Sequence, residues 1–412
     1  MPENRESRMI VRARTVVTMD GPPIDNGAVV VRGHQILDVG KFDEIKTHIA
    51  GEIVDLGEQA LLPGLINAHC HLDYTCLRGQ IPPQKSFADW IRAINAEKAK
   101  LSAEDYVSSI GEGFAEAKRF GTTGVANLTA FPELVPQIDA PIHAWWFAEL
   151  IDVRAPERAS EIVDHALESL QSTMNWGLAP HALFTASADL YRRCEKVAQQ
   201  KNIPLTTHLA ESREEMEMFH DASGRLYEFL KSIGRDVSDC GRKTPLGLFL
   251  DAIGDRALPQ WIVAHLNELT DSDFELLERL KTRFHVVHSP RSHDYFKHCQ
   301  FPLERLRALA FNICLGTDSL ASNENLSLFA EMRTFQKEFP GVSPEEILKM
   351  VTVNPATALH RENMLGRIRP GFCADLIAVP CGERDRPYEQ IVEFDGSIDW
   401  VMVYGKDVGQ LG

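Results

Sequence analysis

Two histidines one residue apart, in His69-Cys70-His71, follow the apolar run Leu61-Leu62-Pro63-Gly64-Leu65-Ile66. A run of that length suits a buried strand, and alternate side chains of a strand share a face. His69 and His71 are therefore expected side by side, just past a strand end, where two imidazoles can hold one metal ion; zinc and its neighbours favour neutral imidazole nitrogen. His-x-His alone recurs by chance. Three further apolar runs, however, end in groups of matching chemistry: His208 with Glu211 three residues on, His265, and Asp318. His69, His71 and His208 supply three imidazoles, the usual protein complement of a catalytic metal that leaves a position open for water. Asp318 is either a fourth ligand or the carboxylate that holds the water and takes its proton, since a metal brings the acidity of bound water towards neutral pH. Glu211 can carry a proton to a ring nitrogen or leaving group. His265 can polarise the oxygen at the attacked carbon or help shuttle the proton. Each has a plainer alternative: a core histidine at 208, a solvated helix start at Glu211 before Glu214, Glu215 and Glu217, a helix N-cap at Asp318, a strand cap at His265. Taken together, they favour one site.

The elements that must position these groups alternate. Eight strand-like runs stand out: Leu61–Asn67, Gly124–Leu128, Ile142–Glu149, Gly177–His181, Pro204–His208, Trp261–His265, Phe284–His288 and Asn312–Gly316. Helical stretches separate them. One begins at Ser102 and repeats through Tyr106, Ile110, Phe114 and Ala117; another opens on the capping box Ser343-Pro344-Glu345-Glu346. Eight βα units over about 250 residues predict a (β/α)8 TIM barrel, whose active site lies at the C-terminal ends of the strands, where the candidate residues fall. The two ends of the chain read as short β-runs, Val11 to Met19, Ala28 to Val31 and Ile36 to Val39 at one, Asp375 to Val379 and Trp400 to Gly405 at the other. Neither set holds a core alone. The expected division is residues 1–60 and 369–412 as two parts of a small β-sandwich domain around a barrel of residues 61–368.

Composition narrows the partners. With 44% hydrophobic and 25% charged residues the chain is of the ordinary globular class. A formal net charge of −16 argues against nucleic acid and anionic membrane surfaces. The eight cysteines form no Cys-x-x-Cys pair, Met1 to Met9 is polar, and no run is long enough to span a bilayer. The expectation is a cytoplasmic protein with free thiols.

Several motifs taken together resemble a known superfamily. They are Leu62-Pro63-Gly64-Leu65-Ile66-Asn67-Ala68-His69-Cys70-His71, Ala179-Pro180-His181, His208-Leu209-Ala210-Glu211, His265, Leu315-Gly316-Thr317-Asp318, Asn354-Pro355-Ala356-Thr357-Ala358-Leu359 and Pro370-Gly371-Phe372-Cys373-Ala374-Asp375-Leu376. The chain is similar over nearly its whole length to the amidohydrolase superfamily. Within it, the likeness is to the mononuclear branch of S-adenosylhomocysteine and adenosine-type deaminases, guanine and cytosine deaminases and triazine chlorohydrolases. The resemblance implies one divalent metal, usually zinc and sometimes iron, on His69, His71, His208 and Asp318, with Glu211 and His265 in proton transfer. The fourth strand ends without the lysine of binuclear members, which implies a single metal, and His181 resembles a substrate contact. Relatives are commonly homodimers. The implied reaction is hydrolytic deamination of an aromatic N-heterocycle, with an adenine nucleoside derivative such as S-adenosylhomocysteine, methylthioadenosine or aminodeoxyfutalosine as leading substrate class. The alternatives are a triazine chlorohydrolase, a cyclic amide or amidine hydrolase, and a non-catalytic scaffold on the same fold. Glu211 disfavours the chlorohydrolase, because amine departure needs a proton donor and chloride departure does not.

The chain departs from the branch after the seventh strand, where His288-Ser289-Pro290-Arg291-Ser292-His293 replaces a frequent Asn-Pro-x-Ser-Asn. His293 stands for an amide, and Arg291 either recognises a carboxylate, phosphate or carbonyl or pairs with Asp294 or Glu304. Further substrate-binding candidates are Arg78, at the start of a loop, and Trp90, as a stacking face. Trp90 also fits a buried helix stripe with Phe87, Ile91 and Ile94. Glu97 offers itself to a sugar hydroxyl or to solvent. The segment 221–244 is either an insertion at the pocket entrance or a helix pair on the outside.

Overall fold

The computed structural model describes residues 8–382 and 385–408. Residues 1–7 of the polar N-terminal stretch, and residues 383–384 and 409–412 of the expected C-terminal part, lie outside them. Eight parallel strands alternate with helices: β1 (Leu65–His71), β2 (Thr122–Thr129), β3 (His143–Leu150), β4 (Trp176–Pro180), β5 (Leu205–Leu209), β6 (Trp261–His265), β7 (His285–His288) and β8 (Asn312–Leu315). Each pairs with the next. The ring closes just past β8, where Asp318 and Ser319 pair with Cys70 and His71 of β1. Gly316 permits that approach: a Cβ there would sit 2.7 Å from the His69 carbonyl oxygen. The neighbouring Thr317 N–H donates to that same oxygen at 3.1 Å.

Two layers of side chains hold the barrel. Ile66, Leu128, Trp145, Phe147, Ile262 and Val287 fill its interior, while Trp146, Phe114, Tyr191, Trp261 and Phe335 belong to the layer between strands and helices. Trp145 and Trp146 thus go to opposite sides of β3, as strand alternation requires. The helix predicted from Ser102 runs Ala103–Arg119 with Ser102 in a capping box, and the one predicted at Ser343 runs Pro344–Lys349.

The ends of the chain pair into one eight-stranded sheet. The strand Leu376–Pro380 lies antiparallel to Gln59–Pro63, which runs parallel to the first strand, Arg8–Val16. The run read as a single strand, Leu61–Asn67, divides at Gly64. Its first half belongs to this terminal sheet and its second to the barrel. The reason is crowding: a Cβ on Gly64 would lie 2.1 Å from the Thr123 hydroxyl, so only glycine lets the chain cross from one sheet to the other. No helix among the described residues is long and apolar enough to cross a membrane, and all eight cysteines are free thiols.

Candidate active site

His69 and His71 lie inside β1 rather than beyond its end, and regular alternation would not turn both inward. Ile66 and Ala68 face the barrel interior, so an unbroken strand would next send Cys70 inward and both histidines out. The ladder to β2 shifts register between Asn67 and Cys70, and Cys70 packs in the outer layer instead. This irregularity re-aims the two imidazoles, as bulges beside active sites do. His208 lies within β5, His265 ends β6, and Glu211 and Asp318 follow β5 and β8 on the same rim. Ala210, His265 and Asp318 have φ of 49°, 74° and 57°. Non-glycine residues in this left-handed region cost about 1 kcal/mol or more each.

The nitrogen atoms converge. His71 Nε2 and His208 Nε2 are 3.3 Å apart, close to the roughly 3.3 Å between tetrahedral nitrogens on one zinc ion. The donor atoms of His69, His71 and Asp318 lie within 4.8 Å of one another, as do those of His69, His208 and His265. His208 Nδ1 donates to the His181 carbonyl at 2.9 Å, which fixes the tautomer and leaves Nε2 as a bare lone pair. Both ring nitrogens of His69 and Nε2 of His265 are buried without a hydrogen-bond partner. Buried polar atoms are seldom left so. The orphaned nitrogens and the spacing of the donors fit a divalent metal ion.

The charges are arranged to suit. Burial, followed by the neighbouring imidazoles, lowers the pKa of His71 well below its usual value, and burial with His181 and His69 lowers His208 to about 3. These imidazoles stay neutral, as metal ligands must. Burial alone would raise Asp318, but the surrounding histidines outweigh it and hold the carboxyl well below the ordinary range. Ser292 donates to Asp318 Oδ2 at 2.7 Å, and the Ser319 N–H donates to Oδ1 at 2.8 Å. Glu211 moves the other way: burial, then the carboxylates of Asp318 and Glu215, raise it well above its ordinary value, which favours the protonated form. Glu211 Oε1 lies 3.8 Å from His265 Nε2. Two carboxyls on one rim with pKa values pushed apart are an acid and a base ready-made.

A cavity opens on this rim. Its walls include His71, Tyr74, Phe87, Trp90, Ile94, Lys98, Glu149, His181, Phe184, His208, Glu211 and Asp318. Trp90 lies both on the cavity and in the apolar stripe of its helix (Phe87–Lys98), stacked on Phe87. His181 donates to, or accepts from, the Thr185 hydroxyl at 2.6 Å. The remaining candidates stand elsewhere. Arg78 pairs with Glu116, and Arg291 with Glu324 and Asn325 rather than with Asp294 or Glu304; both line a separate cleft. His293 is buried behind the rim with Nδ1 3.3 Å from Asn267 Oδ1. The segment 221–244 contributes the helix Gly224–Ser232, which braces helix Phe87–Lys98 from outside through Arg225 to Asp89 at 3.2 Å. Sequence reasoning missed Glu149. Its carboxylate is buried 3.9 Å from His71 and 3.8 Å from His181. The strand-end rule that found the histidines applies to it equally, since it lies near the end of β3.

Known proteins bear on this geometry. A 5-methylthioadenosine/S-adenosylhomocysteine deaminase from Syntrophobacter fumaroxidans is 30% identical, the alignment covering 92% of this chain and 86% of that protein. Helicobacter pylori aminofutalosine deaminase, solved with methylthio-coformycin, superposes with a TM-score of 0.84 at 21% identity over 97% of this chain and all of its own. An adenosine deaminase from Xanthomonas campestris, solved with bound zinc, gives 0.81 at 23% identity over 97% of this chain and 92% of its own. These two structures share the fold. The amidohydrolase family pattern matches residues 60–408, and the chain belongs to that family.

Proposed function

We propose that the chain is a zinc-dependent aminohydrolase that replaces the exocyclic amino group of an adenine nucleoside derivative by oxygen and releases ammonia. The observation that carries this reading is the gathering on one rim of Glu211 and Asp318 with His71 and His208 on a single cavity wall, the donor atoms of His69, His71 and Asp318 lying within 4.8 Å of one another, while burial pushes the Glu211 carboxyl up and the Asp318 carboxyl is held down. His69, His71, His208 and Asp318 would hold the metal, which when bound supplies Lewis acidity and makes water acidic near neutral pH. Asp318, oriented by Ser292, accepts the proton of the attacking water. Glu211 gives its proton to the ring nitrogen next to the attacked carbon, so that the ring carries the incoming electron pair until ammonia departs. His265, with Nε2 3.8 Å from Glu211 Oε1, steadies the oxygen as it bonds to carbon. Tyr74, Phe87 and Trp90 offer faces to a flat ring, and His181 a polar contact. The names of the curated relatives, 5-methylthioadenosine/S-adenosylhomocysteine deaminase and 5'-deoxyadenosine deaminase, favour that substrate class, while triazine hydrolases among the similar solved structures fit the chlorohydrolase alternative.

Ammonia release from zinc-loaded protein tests the reading. The panel is methylthioadenosine, S-adenosylhomocysteine, aminodeoxyfutalosine, guanine, cytosine, aminotriazines and a chlorotriazine. Ammonia is expected from the adenine nucleosides. Glu211→Gln should lower kcat by about 10² to 10⁴ with metal content unchanged. Chloride from the chlorotriazine, with no ammonia from any compound, would sink the deaminase assignment.

A further inference from the structure

The cavity has two ends of different chemistry. The inner end carries the imidazoles and the acids Glu211 and Asp318. At the outer end, helix Phe87–Lys98 turns its last side chain into the same space. Lys98 Nζ stands 4.5 Å from the centre of the Tyr74 ring, and Tyr74 stacks on His71 with ring centres 5.7 Å apart. The ammonium is thus one aromatic ring removed from the donor cluster.

Among the described residues Lys98 is the only lysine or arginine on the cavity wall, and no carboxylate lies within ion-pairing distance of it. Its neighbours are all paired: Lys100 with Glu97 at 2.7 Å, Arg92 with Asp89 at 2.9 Å. Glu97, offered by the sequence for a sugar hydroxyl, is turned to Lys100 and is not on the wall. In a chain of formal net charge −16, an ammonium held over the Tyr74 ring without an ion-pair partner presents a full charge to whatever enters. A heterocycle with its amino group at the inner end must send its sugar and 5′ substituent outward, towards Lys98.

We propose that Lys98 selects, among adenine nucleoside derivatives, those whose 5′ substituent bears a carboxylate. The inference rests on the deaminase reading above. A carboxylate fits better than a phosphate, because a single ammonium balances one charge and the wall offers no second cation or arginine fork.

The test compares 5′-S-(2-carboxyethyl)-5′-thioadenosine with its carboxamide, which differ only in the charge. For the wild type, kcat/KM should favour the carboxylate about tenfold or more, through KM. Lys98→Met should bring that ratio to about one, Lys98→Arg should keep most of it, and Lys98→Glu should invert it. A wild-type ratio near one, or an equal loss for both compounds in Lys98→Met, would overturn the proposal. Calorimetric binding of both compounds to Glu211→Gln separates the two readings. Carboxylate-selective binding without ammonia release by the wild type supports the Lys98 subsite and sinks the deaminase. Ammonia released equally well from both compounds sinks the subsite alone, and binding of neither sinks both.

Discussion

Glu211, just before the helix Arg213–Asp221, and Glu215, in its first turn, are both buried, yet only Glu211 reaches the cavity. Glu215 Oε2 accepts the Glu211 N–H at 2.8 Å, while its Oε1 has no partner. It therefore fixes the backbone that carries the acid. Burial is the main cause that raises its pKa to about 7 from an ordinary 4.5. The sign follows from the protons bound: between pH 4.5 and 7 the folded state holds a proton that the unfolded chain has released. Stability from this group is complete below 4.5 and is lost as pH rises to 7, by about 1 kcal/mol per unit. Glu215→Gln mimics the protonated form, so its Tm should fall less than that of the wild type over this range. Parallel melting curves that keep the wild-type slope would refute this. From the sequence Glu215 read as one of several solvated helix charges, because Glu214, Glu215 and Glu217 crowd one short stretch. Nothing local shows which of them the barrel rim will cover.

At the scale of elements, the helix Phe87–Lys98 carries the outer cavity wall, and its first turn is held from outside itself. Glu214 accepts from the N–H groups of Phe87 at 2.7 Å and Ala88 at 3.2 Å, placing a carboxylate on the positive end of the helix. Glu214→Ala should cost about 1 kcal/mol. It should speed hydrogen exchange of the amides in residues 87–91 and raise KM severalfold with little change in kcat. Unchanged exchange there would mean that Ser86, the helix's own cap, suffices. Strands and caps were the most legible elements: β6 runs from Trp261 to His265 as expected, and Ser102 and Ser343 cap their helices. Alternating apolar runs and capping residues are local signals. The division at Gly64 and the register shift in β1 were hidden because both arise from contacts with β2. The rim residues were legible through their chemistry, whereas Arg78 and Arg291 were not placed, since the chain does not announce that Glu116 and Glu324 will claim them.

For the whole molecule, the junction between barrel and terminal sheet rests on a buried pair. His143, at the start of β3, meets Asp375 at 2.7 Å, and the other oxygen of Asp375 accepts the Tyr404 N–H at 2.8 Å. Removing one member of such a pair strands the other, at about 3–5 kcal/mol. Asp375→Ala should lower Tm markedly while the folded fraction keeps its kcat at low temperature. A fall in kcat with Tm unchanged would show instead that the terminal sheet shapes the site.

The seam of the ring has a consequence for synthesis on the ribosome. Asn67 and Thr317, hydrogen-bonded at 2.8 Å across it, are 250 positions apart in the chain. Until the last quarter of the polypeptide emerges, β1 has one bare edge, an open template for strand pairing with other chains. A nascent chain that stalls before Asp318 also lacks the only carboxylate among the proposed ligands. The interval between translation of β1 and of Asp318 is therefore the period of greatest exposure, in which a holding chaperone has most to protect and a loaded centre cannot yet exist.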